Sequence, residues 1–217
     1  MKLKNIFKNF QLFLEYLLFI SLQGILKMLS FNSTSSIGSK FIGFFGKFSR
    51  YSKIISNNLS ILNFTKEERE KITQKNLENT GRVFFEFFNL NKFNWQSITI
   101  KNGEYLEVIK NYKGSKIFLS AHIGNWEITR NYLLHLGFIL HSVYRQANNS
   151  KIDQYIQKNR LKKNAYFYKK GADSAKNMIK ALKSNEDLAL LVDQRDSSGP
   201  LINFFGKEAY STDGFAN

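Results

Sequence analysis

From residue 97 onward, short apolar runs alternate with segments of helical pattern. Such alternation is typical of α/β domains, because each helix returns the chain to the start of the next parallel strand. We therefore predict an α/β fold with a mixed, largely parallel sheet flanked by helices. The runs predicted to form strands are 97–100, 116–121, 138–144, 165–168, 187–192 and 202–205.

Polar residues directly follow three of the predicted strands. His122 follows the second run, Arg145 the third and Asp193 the fifth. In open α/β sheets, ligands bind at the carboxyl ends of the strands. Taken singly, Arg145 is explained as a solvated charge and Asp193 as a strand-end cap. Together, the three residues predict a functional site at one edge of the sheet.

His122 and Glu127 are five residues apart in the segment S-A-H-I-G-N-W-E. On one continuous helix they would point about 140° away from each other, since each residue turns the helix by ~100°. Gly124-Asn125 permits a break that places only Glu127 in the helix. Glu127 then accepts a hydrogen bond from one ring nitrogen of His122 and leaves the other nitrogen as a general base. On spacing alone, the simpler alternative is that Glu127 complements the helix N-terminus and His122 ends a strand.

Residues 1–31 combine a basic start with a long apolar stretch. A spanning helix needs ~20 mostly apolar residues, and this stretch is long enough, but it carries Glu15, Gln23 and Lys27. We predict a membrane-anchoring helix, either tilted through one leaflet or spanning with its polar stripe against the protein. An amphipathic core helix is the alternative. The chain then divides into this anchor and one domain over 32–217.

The segment after the anchor is rich first in small residues and then in aromatics. Asn32 to Gly38 is predicted to be a Ser/Gly-rich connector. Phe41 to Phe48 holds four aromatic residues beside Lys40, Lys47 and Arg50. This combination favours a helix that lies on a lipid surface, with a buried helix as the alternative.

Thr65 and Glu68 have the spacing of a capping box, in which each residue's side chain bonds the other's backbone N–H. They predict a helix that runs to about Phe88. Its last turns, V-F-F-E-F-F, place Glu86 among apolar side chains. Glu86 therefore either has a specific buried partner or faces solvent.

The composition limits the classes of function. The formal net charge is +15, which suits nucleic acid or an anionic lipid surface as a partner. The chain contains no cysteine and three histidines, which excludes disulfides and thiolate catalysis and leaves little material for a metal site. The N-terminal apolar stretch and the lack of a recognisable nucleic-acid-binding motif favour the membrane. We expect neither a metal nor another cofactor.

The segment around His122 resembles the H-x4-D/E block of the glycerolipid and lysophospholipid acyltransferase superfamily. In its fuller form, S-A-H-I-G-N-W-E, it is similar to the bacterial lipid A biosynthesis acyltransferases, the lauroyl and myristoyl transferases. Further similar stretches are Y-R-Q at 144–146, L-V-D-Q at 191–194, F-F-G at 204–206 and S-T at 211–212. The resemblance covers nearly the whole chain and implies a glycerol-3-phosphate-acyltransferase-like fold.

The resemblance implies that the chain transfers a fatty acyl group from acyl carrier protein to a hydroxyl of a Kdo-modified lipid A precursor, an anionic glycolipid, at the cytoplasmic face of the inner membrane. It implies His122 as the base and Glu127 as its orienting partner. Residues implied to bind substrate are Asn125, Arg145, Lys169, Lys170, Asp193 and Gln194. A basic surface suits both the acidic carrier protein and the anionic acceptor.

The chain departs from the family pattern in two places. Lys169-Lys170 stands where members have an arginine, and lysine binds phosphate as a point charge and not as a planar fork. The sequence also stops soon after Gly214, where members generally continue, so we expect a C-terminal truncation. The alternatives are a related membrane acyltransferase with another glycolipid or lysophospholipid acceptor, and an inactive homologue that acts only as a basic membrane-binding protein.

Overall fold

The computed structural model describes residues 2–212, which form two compact units. One unit is built from residues 2–23, 94–120 and 128–191, and the other from residues 24–93, 121–127 and 192–212. The chain thus passes several times from one unit to the other. The first unit contains the parallel sheet, and the second contains a helical layer and a β-hairpin.

The sheet of the first unit has four strands, all parallel, in the order β1-β4-β2-β3. The predicted α/β fold with a parallel sheet is therefore confirmed. The buried core consists of Leu140 and Ala165 from the sheet itself and of Leu134 and Phe138, which pack against them. The strands are β1 (Ile117–Ser120), β2 (Leu140–Tyr144), β3 (Ala165–Lys169) and β4 (Asp187–Leu191). The accompanying helices are α5 (Gly103–Asn111), α6 (Trp126–His135), α7 (Ser150–Arg160) and α8 (Ala172–Lys183).

One strand prediction was wrong. Residues 97–100 do not join the sheet; Trp95–Ser97 forms a 3₁₀ turn instead. The side chain of Asn94 accepts from the backbone N–H of Gln96, and the Ser97 hydroxyl donates to the Asn94 carbonyl oxygen at 2.6 Å. Such local side-chain bonds favour a turn over an extended strand.

The helices of the second unit are α2 (Phe31–Phe45), α3 (Arg50–Leu59) and α4 (Lys66–Glu86). The predicted capping box is present, since Glu68 Oε2 accepts from the Thr65 N–H at 2.8 Å and Thr65 Oγ1 accepts from the Glu68 N–H at 3.2 Å. The hairpin of strands β5 (Leu201–Phe204) and β6 (Lys207–Tyr210) completes the unit.

The connector predicted over Asn32 to Gly38 is wrong, because these residues form the first half of α2. The Ser30 side chain caps this helix by accepting from the Ser33 N–H. The small residues that suggested a linker serve instead to bring α2 close to α4. A Cβ on Gly38 would collide with the carbonyl oxygen of Gly81, so the two helices meet backbone to backbone.

The N-terminal helix α1 (Lys2–Lys27) contains a segment, Asn5–Lys27, that is long and apolar enough to cross a membrane by length and composition. This segment suggests that the chain associates with a membrane. Within the first unit, α1 also has protein partners: Asn149 Nδ2 donates to the Leu12 carbonyl oxygen at 2.7 Å, and the rings of Phe19 and Tyr155 meet edge to face.

Candidate active site

The loop between β1 and α6 carries His122. The strand ends at Ser120 and the helix begins at Trp126, so the predicted break at Gly124-Asn125 is confirmed. Gly124 adopts a φ of +61°, a left-handed conformation that glycine tolerates best. Asn125 Oδ1 then accepts from the Glu127 N–H at 3.0 Å, which satisfies one of the backbone donors that a helix start leaves open.

Asp193 holds His122 by two hydrogen bonds. The ring nitrogen Nδ1 lies 2.8 Å from Asp193 Oδ1, and the backbone N–H of His122 donates to Asp193 Oδ2, also at 2.8 Å. Strand pairing explains the meeting: β1 and β4 are parallel neighbours with Ser120 opposite Leu191, so the segments that leave them start side by side. The two residues are 71 positions apart in the sequence.

The state of the Asp193 carboxyl decides the tautomer of the imidazole. Burial raises the pKa of Asp193, but hydrogen bonds from the side chain and backbone of His122 outweigh that effect and hold the pKa below its usual value. The carboxyl is therefore ionised at neutral pH and acts only as an acceptor. Neutral His122 consequently carries its proton on Nδ1 and presents Nε2 as a base.

Glu127 lies in the first turn of α6 and is buried. The spacing of the motif predicts Glu127 as the carboxylate at the imidazole, whereas in the structure the carboxylate at Nδ1 is that of Asp193. The Trp126 ring, one residue earlier, meets the His122 ring edge to face at 4.7 Å between centroids. The carboxylate partner of His122 thus comes from the segment after the neighbouring strand β4, and not from the helix that follows His122 in the sequence.

Exposure separates His122 from the other histidine with a carboxylate partner. The His122 side chain is 35% exposed, so a substrate can reach its ring. The His141 side chain is only 5% exposed, and both its ring nitrogens are engaged, by Tyr168 at 2.7 Å and Glu186 at 2.8 Å. His141 is therefore a structural residue of the sheet, while His122 has the accessibility that a base requires.

The buried side chain of Glu86 is hydrogen-bonded to the loop that carries His122. Glu86, near the end of α4, accepts from Asn125 Nδ2 at 2.6 Å through Oε2. Its other oxygen accepts from the Ser35 hydroxyl of α2 at 2.5 Å. Of the two alternatives for Glu86, a specific buried partner or exposure to solvent, the structure shows the first. Asn125 is thereby fixed between α4 and the first turn of α6.

Replacing Glu86 with alanine is expected to lower the free energy of unfolding by about 3 kcal/mol, because two hydrogen bonds to one buried side chain are lost and their donors lose their acceptor. The measurement is the midpoint of denaturation followed by circular dichroism. Glu70→Ala is the matched control on the same helix. The Glu70 side chain is 67% exposed, and its ion pair with Lys66 is long, at 4.0 Å. An equal shift in both variants would contradict a special role for Glu86.

The predicted basic residues belong to the first unit. Tyr144 and Lys169 are opposite each other in the β2–β3 pair, so Arg145, Lys169 and Lys170 follow or end neighbouring strands at one sheet edge. All three are exposed. The Lys170 N–H donates to the Tyr144 carbonyl oxygen at 2.9 Å, which extends the pairing past the strand ends.

Gln194 follows Asp193 and also belongs to the second unit. Its carbonyl oxygen accepts from the Thr212 N–H at 3.3 Å, so the backbone after Asp193 is tied to the far end of the hairpin segment. Among residues 2–212, no group of three or more His, Asp or Glu side chains is placed to hold a metal ion.

The second unit therefore presents a histidine that is oriented by a carboxylate at Nδ1 and whose side chain is 35% exposed. The chain has no cysteine to act as a thiolate nucleophile. A histidine oriented in this way has the geometry of a general base, which is the chemistry that such a site can supply.

The family model of the bacterial lipid A biosynthesis acyltransferases matches residues 2–217, so the chain belongs to that family. The resemblance found in the motifs is thus confirmed, and the chain is assigned acyl transfer in lipid A biosynthesis. No curated protein matches the chain.

Proposed function

We propose that the protein transfers a fatty acyl chain from the thioester of acyl carrier protein to a hydroxyl group of a Kdo-modified lipid A precursor. The reaction takes place at the cytoplasmic face of the inner membrane, where α1 keeps the enzyme beside its lipid acceptor. The observation that carries the proposal is the 2.8 Å contact between Asp193 and Nδ1 of an accessible His122. Membership in the family supplies the type of reaction.

The proposed chemistry begins with proton transfer. Nε2 of His122 takes the proton from the acceptor hydroxyl, and Asp193 stabilises the resulting imidazolium through Nδ1. The hydroxyl oxygen attacks the thioester carbonyl carbon and forms a tetrahedral intermediate. The carbon–sulfur bond then breaks, and His122 returns the proton to the departing thiolate. The products are an ester and the free thiol of the carrier, without a covalent enzyme intermediate.

Glu127 and Asn125 have supporting roles in this proposal. Both lie at the start of α6, where Asn125 Oδ1 accepts from the Glu127 N–H. We assign to them the task of fixing the loop that presents His122. Asp193 takes the orienting role, because its carboxylate is the one at Nδ1.

Electrostatics supports the proposed substrates. The chain carries 32 basic and 17 acidic residues, so an acidic carrier protein and an anionic acceptor are both attracted to it. Within the first unit, Arg145, Lys169 and Lys170 offer an exposed cluster of positive charge at one sheet edge. We assign this cluster to the phosphate groups of the acceptor, and Gln194, beside Asp193, to the lining of the site.

The test uses the full chain in detergent with radiolabelled lauroyl or myristoyl donors. Acyl carrier protein and coenzyme A thioesters are each offered with a Kdo-modified lipid A precursor and, separately, with a lysophospholipid. We expect labelled lipid A product and a preference for the carrier-protein donor. Product on the lysophospholipid alone would move the acceptor to the related membrane acyltransferases, and no product with any pair would contradict the proposal.

A further inference from the structure

The outward side of α2 and of the 3₁₀ turn that follows it is aromatic. We define the aromatic face as Ile37, Phe41, Phe44, Phe45 and Phe48, which recur at helical spacing along one side. Every member is exposed, and Phe48 reaches 79%. The rings contact one another, with 4.9 Å between the centroids of Phe41 and Phe45 and 5.9 Å between those of Phe44 and Phe48. Phe41 also meets the ring of Phe85 on α4 at 5.9 Å, and it is still 51% exposed. The result is a continuous apolar surface and not scattered exposed residues.

The inward side of α2 has the opposite character. Thr34, Ser35, Gly38 and Ser39 are its buried residues, together with Gly43. A helix on a water-soluble protein buries its apolar stripe and exposes its polar one. In α2 this arrangement is reversed, because hydroxyls and glycines face α4 while phenylalanines face outward. A reversed helix is stable when its outer surroundings are themselves apolar.

Contacts between α2 and α4 hold α2 in this reversed orientation. The carbonyl oxygen of Gly81 occupies the place that a Cβ on Gly38 would need. The Thr34 hydroxyl donates to the Ser30 carbonyl oxygen at 2.9 Å, and Ser35 donates to Glu86. Small residues that allow close backbone approach are typical of helix pairs in a lipid environment. Rotation of α2 to bury the phenylalanines would break these contacts.

The charge around the aromatic face has one sign. Lys40, Lys47, Arg50 and Lys53 lie within or just after it and are exposed, and residues 16–66 contain no acidic residue. Aromatic side chains flanked by lysine and arginine are characteristic of helices that lie in the membrane interface. Such basic residues are attracted by anionic lipid headgroups.

We propose that the aromatic face and its basic border lie on an anionic lipid bilayer, with the phenylalanines at the boundary between headgroups and acyl chains. The helix lies along the surface and does not span, because α4 behind it begins with the charged sequence K-E-E-R-E-K. This contact is distinct from the one that α1 provides. The evidence for this contact is the geometry of the second unit, and it does not depend on the acyl-transfer activity.

The absence of cysteine from the chain allows a site-specific test with single-cysteine variants. Phe48→Cys reports on the aromatic face. Asn79→Cys is the matched control in the same unit, because Asn79 is exposed on α4 and lies two residues, about 200°, from the α2-facing Gly81. Each variant of the full chain carries an environment-sensitive fluorophore and is reconstituted into phosphatidylcholine vesicles with or without phosphatidylglycerol. The quencher is a lipid brominated on its acyl chains.

In vesicles with phosphatidylglycerol, we expect bromolipids to quench the label at position 48 about threefold more than the label at position 79, since only the former enters the interface. Without phosphatidylglycerol, or with Lys40, Lys47, Arg50 and Lys53 all changed to glutamine, the difference shrinks. Quenching is read only on protein that floats with the vesicles, so the comparison reports the contact of the face and not attachment of the chain. Equal quenching of both labels would overturn the proposal. Protection of position 48 that depends on protein concentration and not on lipid would instead assign the face to a second copy of the chain.

Discussion

His122→Ala is expected to lower kcat for acyl transfer by about 10²–10⁴-fold, the range that a positioned general base contributes. The reason is geometric: Nδ1 is committed to Asp193, so Nε2 is the ring nitrogen left for the proposed role of the base. No other side chain is proposed to take the proton of the acceptor hydroxyl. The measurement is the steady-state rate of labelled product formation with saturating donor.

The matched control is His135→Ala. His135 is also an exposed histidine, but it lies at the end of α6 and stacks on Trp95. It is expected to turn over within about twofold of the wild type, since surface substitutions away from a site have small effects. Turnover by His122→Ala at the rate of this control would remove His122 from the chemistry.

Asp193→Asn is expected to reduce kcat by about 10³-fold with little change in KM, because an orienting carboxylate acts on the base and not on substrate binding. The asparagine amide would donate to Nδ1 and so favour the tautomer that carries its proton on Nε2. His122 would then remain in place without an available lone pair. The split between kcat and KM distinguishes this effect from a general loss of structure.

Glu127→Gln provides the comparison with the other carboxylate of the motif. Because Glu127 is buried at the start of α6, we expect a smaller fall in kcat than in Asp193→Asn, together with a lower midpoint of denaturation. The opposite order, with Glu127→Gln near background and Asp193→Asn near the wild-type rate, would make Glu127 the orienting carboxylate.

The sheet was predictable because its determinants are local. Apolar runs such as 117–120 and 187–191 are short, bounded and separated by helical patterns, and parallel pairing follows from that alternation. The break at Gly124-Asn125 was equally local. The strand predicted at 97–100 was wrong for a reason that is also local, since hydrogen bonds of Asn94 favour a turn there.

The partner of His122 was not predictable from spacing, because it depends on which strands are neighbours. Strand β4, last of the four in the sequence, lies between β1 and β2 in the sheet and carries Asp193 to His122 across 71 positions. The support of the loop by Glu86 is likewise a long-range contact between α4 and Asn125. The sequence indicated that these residues were unusual, but only the topology identified their partners.

The rate of the double variant His122→Ala with Asp193→Asn, measured beside the two single variants, tests whether Asp193 acts through His122. If Asp193 acts only through His122, the double variant is no slower than His122→Ala alone, because residues that work as a unit are strongly non-additive. We predict that result. If the double variant were instead slower than His122→Ala by the full factor of Asp193→Asn, the two residues would act independently and Asp193 would not be the orienting partner of His122.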